Sequence, residues 1–117
     1  MTNHISVSVA FKREAKRLIK KYTSLQTSIN NLIIELSHNA FLGDAYGEGI
    51  FKVRLADKSK GKGKSGGFRV MYYHLSKTDD SYDILLMSIY DKSEKATVKK
   101  NDAVKRLKEI LNEYINN

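Results

Sequence analysis

Two alternating stretches on either side of a lysine–glycine loop constrain the fold of this chain more than any other feature. In Ile50-Phe51-Lys52-Val53-Arg54-Leu55, the apolar Phe51, Val53 and Leu55 point one way and Lys52 and Arg54 the other, because strand side chains alternate faces. Past the loop, Phe68, Val70 and Tyr72 share one face and Arg69 lies opposite. Paired with their apolar sides on a common core, the two strands gather Lys52, Arg54 and Arg69 on the other side. Cations held that close repel one another, and an anion between them relieves the repulsion. Phosphate is the anion expected.

A chain of 117 residues suits one domain with a single two-layer core. Its formal net charge of +8 fits a polyanionic partner, nucleic acid and membrane surface alike. The charge is concentrated: Lys52, Arg54, Lys58, Lys60, Lys62, Lys64 and Arg69 are opposed over that span only by Asp57. With no cysteine, disulfides, thiolate zinc sites and cysteine nucleophiles are excluded. No His/Asp/Glu spacing suggests a metal site, and no cofactor is expected. The N-terminus lacks the charged start and apolar run of a signal peptide. No apolar run reaches spanning length, since Glu35 interrupts Leu32-Ile33-Ile34. Absence of proline and abundance of Lys, Asn and Ile suit a cytoplasmic bacterial protein.

Along the chain, Ile5 to Val9 reads as a short strand. A helix follows over about Ala10 to Tyr22, with Phe11, Ala15, Leu18, Ile19 and Tyr22 at helical spacing and a basic remainder. Thr23 and Gln26 have capping-box form and predict the start of a second helix, carrying Leu25, Ile29, Leu32, Ile33 and Leu36. The two should form a helical hairpin. Glycines between Asn39 and Gly49 mark turns. After the basic hairpin, Tyr82 to Tyr90 is apolar on both faces and should be a central strand. Asp91 to Lys100 is polar and reads as a bend. A last helix is expected over about Asp102 to Tyr114, with Val104, Leu107, Leu111 and Tyr114 as its stripe. The order βααβββα predicts an α+β domain: an antiparallel sheet packed on helices, its other face partly open.

The loop Lys58 to Gly67 joins two strands, so it is no phosphate-binding P-loop, which needs a helix to supply amide donors. Most such loops are solvated hairpin tips. Here it links the strands bearing the outward cations, so Lys58, Lys60, Lys62 and Lys64 are candidate nucleic-acid contacts. Lys52 and Arg54 would, on the plainer reading, be solvent-facing charges. Arg69 lies among Phe68, Val70, Met71, Tyr72 and Tyr73, where a buried guanidinium needs an acidic neighbour or a ligand phosphate, and its fork suits the latter. Tyr72, Tyr73, Tyr82 and Tyr90 could stack on unpaired bases, Tyr73 and Tyr90 being the candidate contacts, although most of them should serve packing. His74 is read as structural. The basic side of the first helix is most simply a solvated face, with RNA or an acidic partner helix as alternatives.

The segments Asn39-Ala-Phe-Leu-Gly-Asp-Ala45, Phe51-Lys-Val-Arg-Leu-Ala56, Gly61 to Tyr73 and Leu86-Met-Ser-Ile-Tyr-Asp-Lys-Ser-Glu94 together resemble the RelE/HigB toxins of type II toxin–antitoxin pairs, closest to the HigB branch. The resemblance covers about Asn39 to Glu94, and the preceding β-α-α order agrees with it. It implies a RelE-like fold and ribosome-dependent mRNA cleavage in the A site, by attack of a ribose 2′-oxygen on the adjacent phosphate. It further implies that Lys52 and Arg54 are the basic strand positions, Arg69 the phosphate-binding arginine and Lys92 a basic residue after the last strand. The C-terminal tyrosine of some members has no counterpart; the matching position is Val98. Lys52 or Tyr90 would then polarise the nucleophile. Expected partners are the ribosome and mRNA, and a helix-turn-helix, HigA-like antitoxin that alone brings operator DNA; no membrane partner is implied.

The chemistry agrees with the residues. Fixed guanidinium and ammonium groups stabilise the charge that builds on phosphoryl oxygens during in-line transfer. Crowded cations also depress a lysine's pKa and fit it for acid–base work near neutrality. Two rivals compete: a ParE-like gyrase poison on the same scaffold, and a non-catalytic RNA-binding module using the basic loop and tyrosines.

Overall fold

The computed structural model describes residues 2–60, 67–94 and 98–116, with side chains described up to residue 113. The chain is α+β, with three helices and a five-stranded sheet. Strand β1 (His4–Val7) leads into helices α1 (Val9–Lys21) and α2 (Leu25–His38). Strands β2 (Asp44–Gly47), β3 (Ile50–Leu55), β4 (Phe68–Lys77) and β5 (Tyr82–Asp91) follow, and α3 (Lys100–Asn116) closes the chain. The side chain of Tyr114, expected in its stripe, lies outside the described residues.

The sheet order is β1-β5-β4-β3-β2, so β5 is internal, as its two apolar faces require. The expectation of a purely antiparallel sheet is corrected. The pairs β2/β3, β3/β4 and β4/β5 are antiparallel, but β1 runs parallel to β5, with Ile5 opposite Ile84 and Val7 opposite Leu86. Hairpins force antiparallel pairing only between strands joined by a tight turn. β1 meets a strand far along the chain, and its direction is set by the helical hairpin it feeds. The βααβββα order is also one strand short. β2 lies within the segment read as turns, and its hairpin to β3 turns at Glu48 and Gly49, whose φ angles of 55° and 81° give the two positive values a primed two-residue turn demands.

Ser8 caps α1: its Oγ accepts from Phe11 N at 3.0 Å and donates to Met87 O at 3.0 Å, fixing the helix start to β5. The capping box expected for α2 does not form. Its N-cap is Ser24, whose hydroxyl is not used as a cap but donates to Asp57 at 2.7 Å. A buried carboxylate outcompetes the helix end for that hydroxyl.

Two cores sandwich the sheet. On one face, Phe11, Leu18, Leu25, Leu32 and Leu36 of the helical hairpin cover Phe68, Val70, Tyr72 and Leu86. On the other, Ala103, Leu107 and Ile110 of α3 cover Ile50, Met71, Leu85 and Met87. α3 reaches only part of this second face. The part it leaves is where the basic residues lie.

Candidate functional site

The strand registers build the site. In β3/β4, Lys52 is paired with Met71 and Arg54 with Arg69, and in β4/β5 Arg69 is paired with Tyr90. Paired residues share a face, so Arg54, Arg69 and Tyr90 form a row across three strands, with Lys52 in the row beside it. β2 pairs with β3 only as far as Lys52, which leaves the Val53–Leu55 end of β3 uncovered. A cleft of about 690 Å³ wraps this edge. Lys52, Arg54, Arg69 and Lys92 all line it, so the four candidate catalytic residues meet in one place. The far wall comes from α2, the turn before β2 and the first residue of β2, and it includes the carboxylates of Glu35 and Asp44. Cations outnumber carboxylates on this lining, and the cleft is positive.

The cations differ in setting. Arg54 is exposed, Lys52 and Lys92 are half-buried, and Arg69 is only 4% exposed, with Nη1 donating to its neighbour Phe68 O at 3.2 Å. Two arginines directly opposed across a ladder repel, and an anion between them removes the penalty. Lys52 is held by a residue that sequence reasoning missed. Its Nζ donates to Tyr46 Oη at 2.7 Å and sits 4.9 Å from the ring centroid, while Tyr46 Oη donates to Val98 O at 3.1 Å. The hydroxyl thus ties the lysine to the chain just before α3. Tyr90 is buried, and burial pushes its phenol pKa up against the opposing effect of Lys52 and Arg69 nearby.

Gly43 sets how closely the β2 approach meets β3. Its φ is +83°, and a Cβ there would collide with the backbone carbonyl of Lys52, so no other residue fits without displacing the strand that carries the site.

The remaining candidates fall elsewhere. Lys60 is not a free cation of the loop: its Nζ contacts both carboxylate oxygens of Asp91 at 3.0 and 2.9 Å, with 12% and 1% of the two side chains exposed. It also lies 4.8 Å from the Tyr22 ring centroid. The hydrogen bond to Asp91 raises the Lys60 pKa against the effect of burial. Burial acts to raise the Asp91 pKa, but the bonds from Lys60 and Ser93 prevail and hold it at about 2. Beside this pair, Asp57 is 4% exposed and accepts from Ser24, Ser28 and Ser59, which bring its pKa below the ordinary range although burial opposes them. Lys58 is exposed on the short helical turn Lys58–Lys60. Lys62 and Lys64 lie outside the described residues.

Tyr73 pairs with Ile50 and packs with the α3 core, about 13 Å along β4 from Arg69 at strand rise, so it is not part of the cleft. His74 sits among Phe41, Phe51 and Tyr82, with Nε2 2.7 Å from Ala40 O, a packing role as expected. No group of His, Cys, Asp and Glu among the described residues could hold a metal. No helix among the described residues is long and apolar enough to cross a membrane.

No protein-family model matches the chain, and no solved structure matches it.

Proposed function

We propose that this protein is the toxin of a type II toxin–antitoxin pair, with a RelE-like fold of the HigB branch: a cytoplasmic, ribosome-dependent endoribonuclease that cuts message in the A site. What supports this reading above all is the convergence of Lys52, Arg54, Arg69 and Lys92 on one cleft at an uncovered strand edge. An extended strand of RNA fits an open groove of this kind, and its phosphates match the cations. In the proposed reaction the ribose 2′-oxygen attacks the adjacent phosphorus, the P–O5′ bond breaks, and a 2′,3′-cyclic phosphate and a 5′-hydroxyl result. Arg69 and Arg54 hold the phosphoryl oxygens, Lys52 in its neutral amine form takes the 2′ proton, and the Lys92 ammonium gives a proton to the leaving 5′-oxygen. Lys58, Lys62 and Lys64 remain candidate contacts to the RNA backbone. Lys60 is committed to Asp91 and is left out of that set.

Mapping the 5′ ends of messages after brief induction tests the proposal. Codon-phased cuts inside translated regions, lost in Arg69→Ala, are the expected result. Intact messages with inhibited DNA supercoiling would point to the gyrase poison. Tight, salt-sensitive binding to free RNA without cleavage would point to the RNA-binding module.

A further inference from the structure

A second depression lies on the other side of α2 from the cleft. It is a groove of about 440 Å³ between α1 and α2, floored by the apolar Phe11, Ala15 and Ile29 and walled by Ile19 and Ile33. Lys12, Lys16 and Lys20 form its α1 rim and Gln26 and Asn30 its α2 rim, and no described acidic side chain lines it. All three lysines are exposed, and none forms an ion pair with a described carboxylate. The next ridge of α1 differs: Glu14 pairs with Arg106 at 2.7 Å and Arg17 with Glu94 at 3.3 Å. The lysine ridge alone faces apolar surface without a counter-charge. Its members stand four residues apart, about 6 Å per step along the axis, and like charges at that spacing repel.

From this arrangement we infer that the groove docks an acidic amphipathic helix of a partner protein. The partner lays an apolar stripe on Phe11, Ala15 and Ile29, and carboxylates at i, i+4 and i+8 meet Lys12, Lys16 and Lys20. A phosphodiester chain suits the groove poorly, because its floor offers no polar partner and its other rim no charge. A second copy of this chain would set basic α1 against basic α1. Helix α2 separates the groove from the cleft, so an occupant leaves Lys52, Arg54 and Arg69 open. The inference stands on the helical hairpin alone and does not depend on the cleavage reaction.

Fluorescence anisotropy with the full chain and a labelled helical peptide tests it, the peptide carrying leucines at i, i+3, i+4 and i+7 and glutamates at i+4 spacing beside them. Saturable binding is expected, weakened about tenfold by the combined Lys12→Glu, Lys16→Glu and Lys20→Glu changes, as three exposed ion pairs predict. Ile33→Asp should also weaken it, whereas Arg54→Ala and Arg69→Ala should not. Absence of binding, equal binding of the same peptide with lysine for glutamate, equal competition by single-stranded RNA, or self-association that the charge reversals abolish would each overturn the inference. Circular dichroism confirms that the variants are folded.

Discussion

Lys60 and Arg69 sit at opposite ends of the same basic loop and are both largely buried, yet their surroundings give them different work. Lys60 has its own carboxylate, Asp91, inside the protein. Lys60→Met leaves that buried charge without its partner, and a loss of about 3 kcal/mol or more is expected in urea unfolding. The proposed cleavage, per folded molecule, should be unchanged, which separates a structural lysine from those proposed to be catalytic. Arg69 instead lines the cleft beside Arg54, Lys52 and Lys92. Arg69→Ala should cut the proposed ribosome-dependent cleavage roughly a hundredfold to a thousandfold, the usual cost of one lost electrostatic donor. Arg69→Lys should be nearly as damaging, because a point charge replaces a planar fork. Cleavage by Arg69→Ala at the rate of the unaltered protein would remove the residue from the proposed mechanism.

At the scale of elements, the β3/β4 ladder carries a conflict that is useful to the site. Arg54 and Arg69 are direct register partners, and like charges directly opposed across a ladder are destabilising. Arg54→Thr puts a strand-favouring neutral residue there, so the thermal midpoint should rise, by up to about 1 kcal/mol of stability, while cleavage falls. A lower midpoint would show that the arginines are not in conflict. This ladder was legible from alternation alone, because a period of two assigns each side chain to a face before any pairing is known. The two helices of the hairpin and the central β5 were legible for the same kind of reason. What periodicity could not supply was β2, because the glycines around it read as turns, although Gly43 lets the backbone approach β3 closely. Nor could it supply the polar partners. Tyr46 under Lys52 is a cross-hairpin neighbour on the strand read as turns, and Asp91 meets Lys60 from the far end of β5, so local spacing announces neither. Lysine composition suggested that Lys60 was one more cation for RNA, when a buried carboxylate had already claimed it.

For the whole molecule, two carboxylates held below their ordinary pKa, Asp91 and Asp57, are the staples that close one end of the structure. Asp91 fastens the start of the basic loop to the end of β5 through Lys60, and Asp57 fastens the end of β3 to α2 through Ser24 and Ser28. A carboxyl whose folded pKa lies below its unfolded value stabilises the fold above the unfolded value, and that contribution fades as pH falls through the folded one. For Asp91 the window runs from its ordinary 3.8 down to about 2, which corresponds to about 2 kcal/mol. Asp57 acts in the same direction. The formal charge of +8 at neutrality rises further as carboxylates protonate, so self-repulsion adds to the loss and added salt should soften it. Urea midpoints taken from pH 5 to pH 2 should therefore fall steeply below about pH 4. Asp91→Asn should lie lower at neutral pH, because Lys60 loses its counter-charge, and should be flatter across the acid window, because the titrating group is gone. Parallel curves for the variant and the unaltered chain would mean that acid acts elsewhere, and that the Lys60–Asp91 bond does not hold this end of the sheet shut.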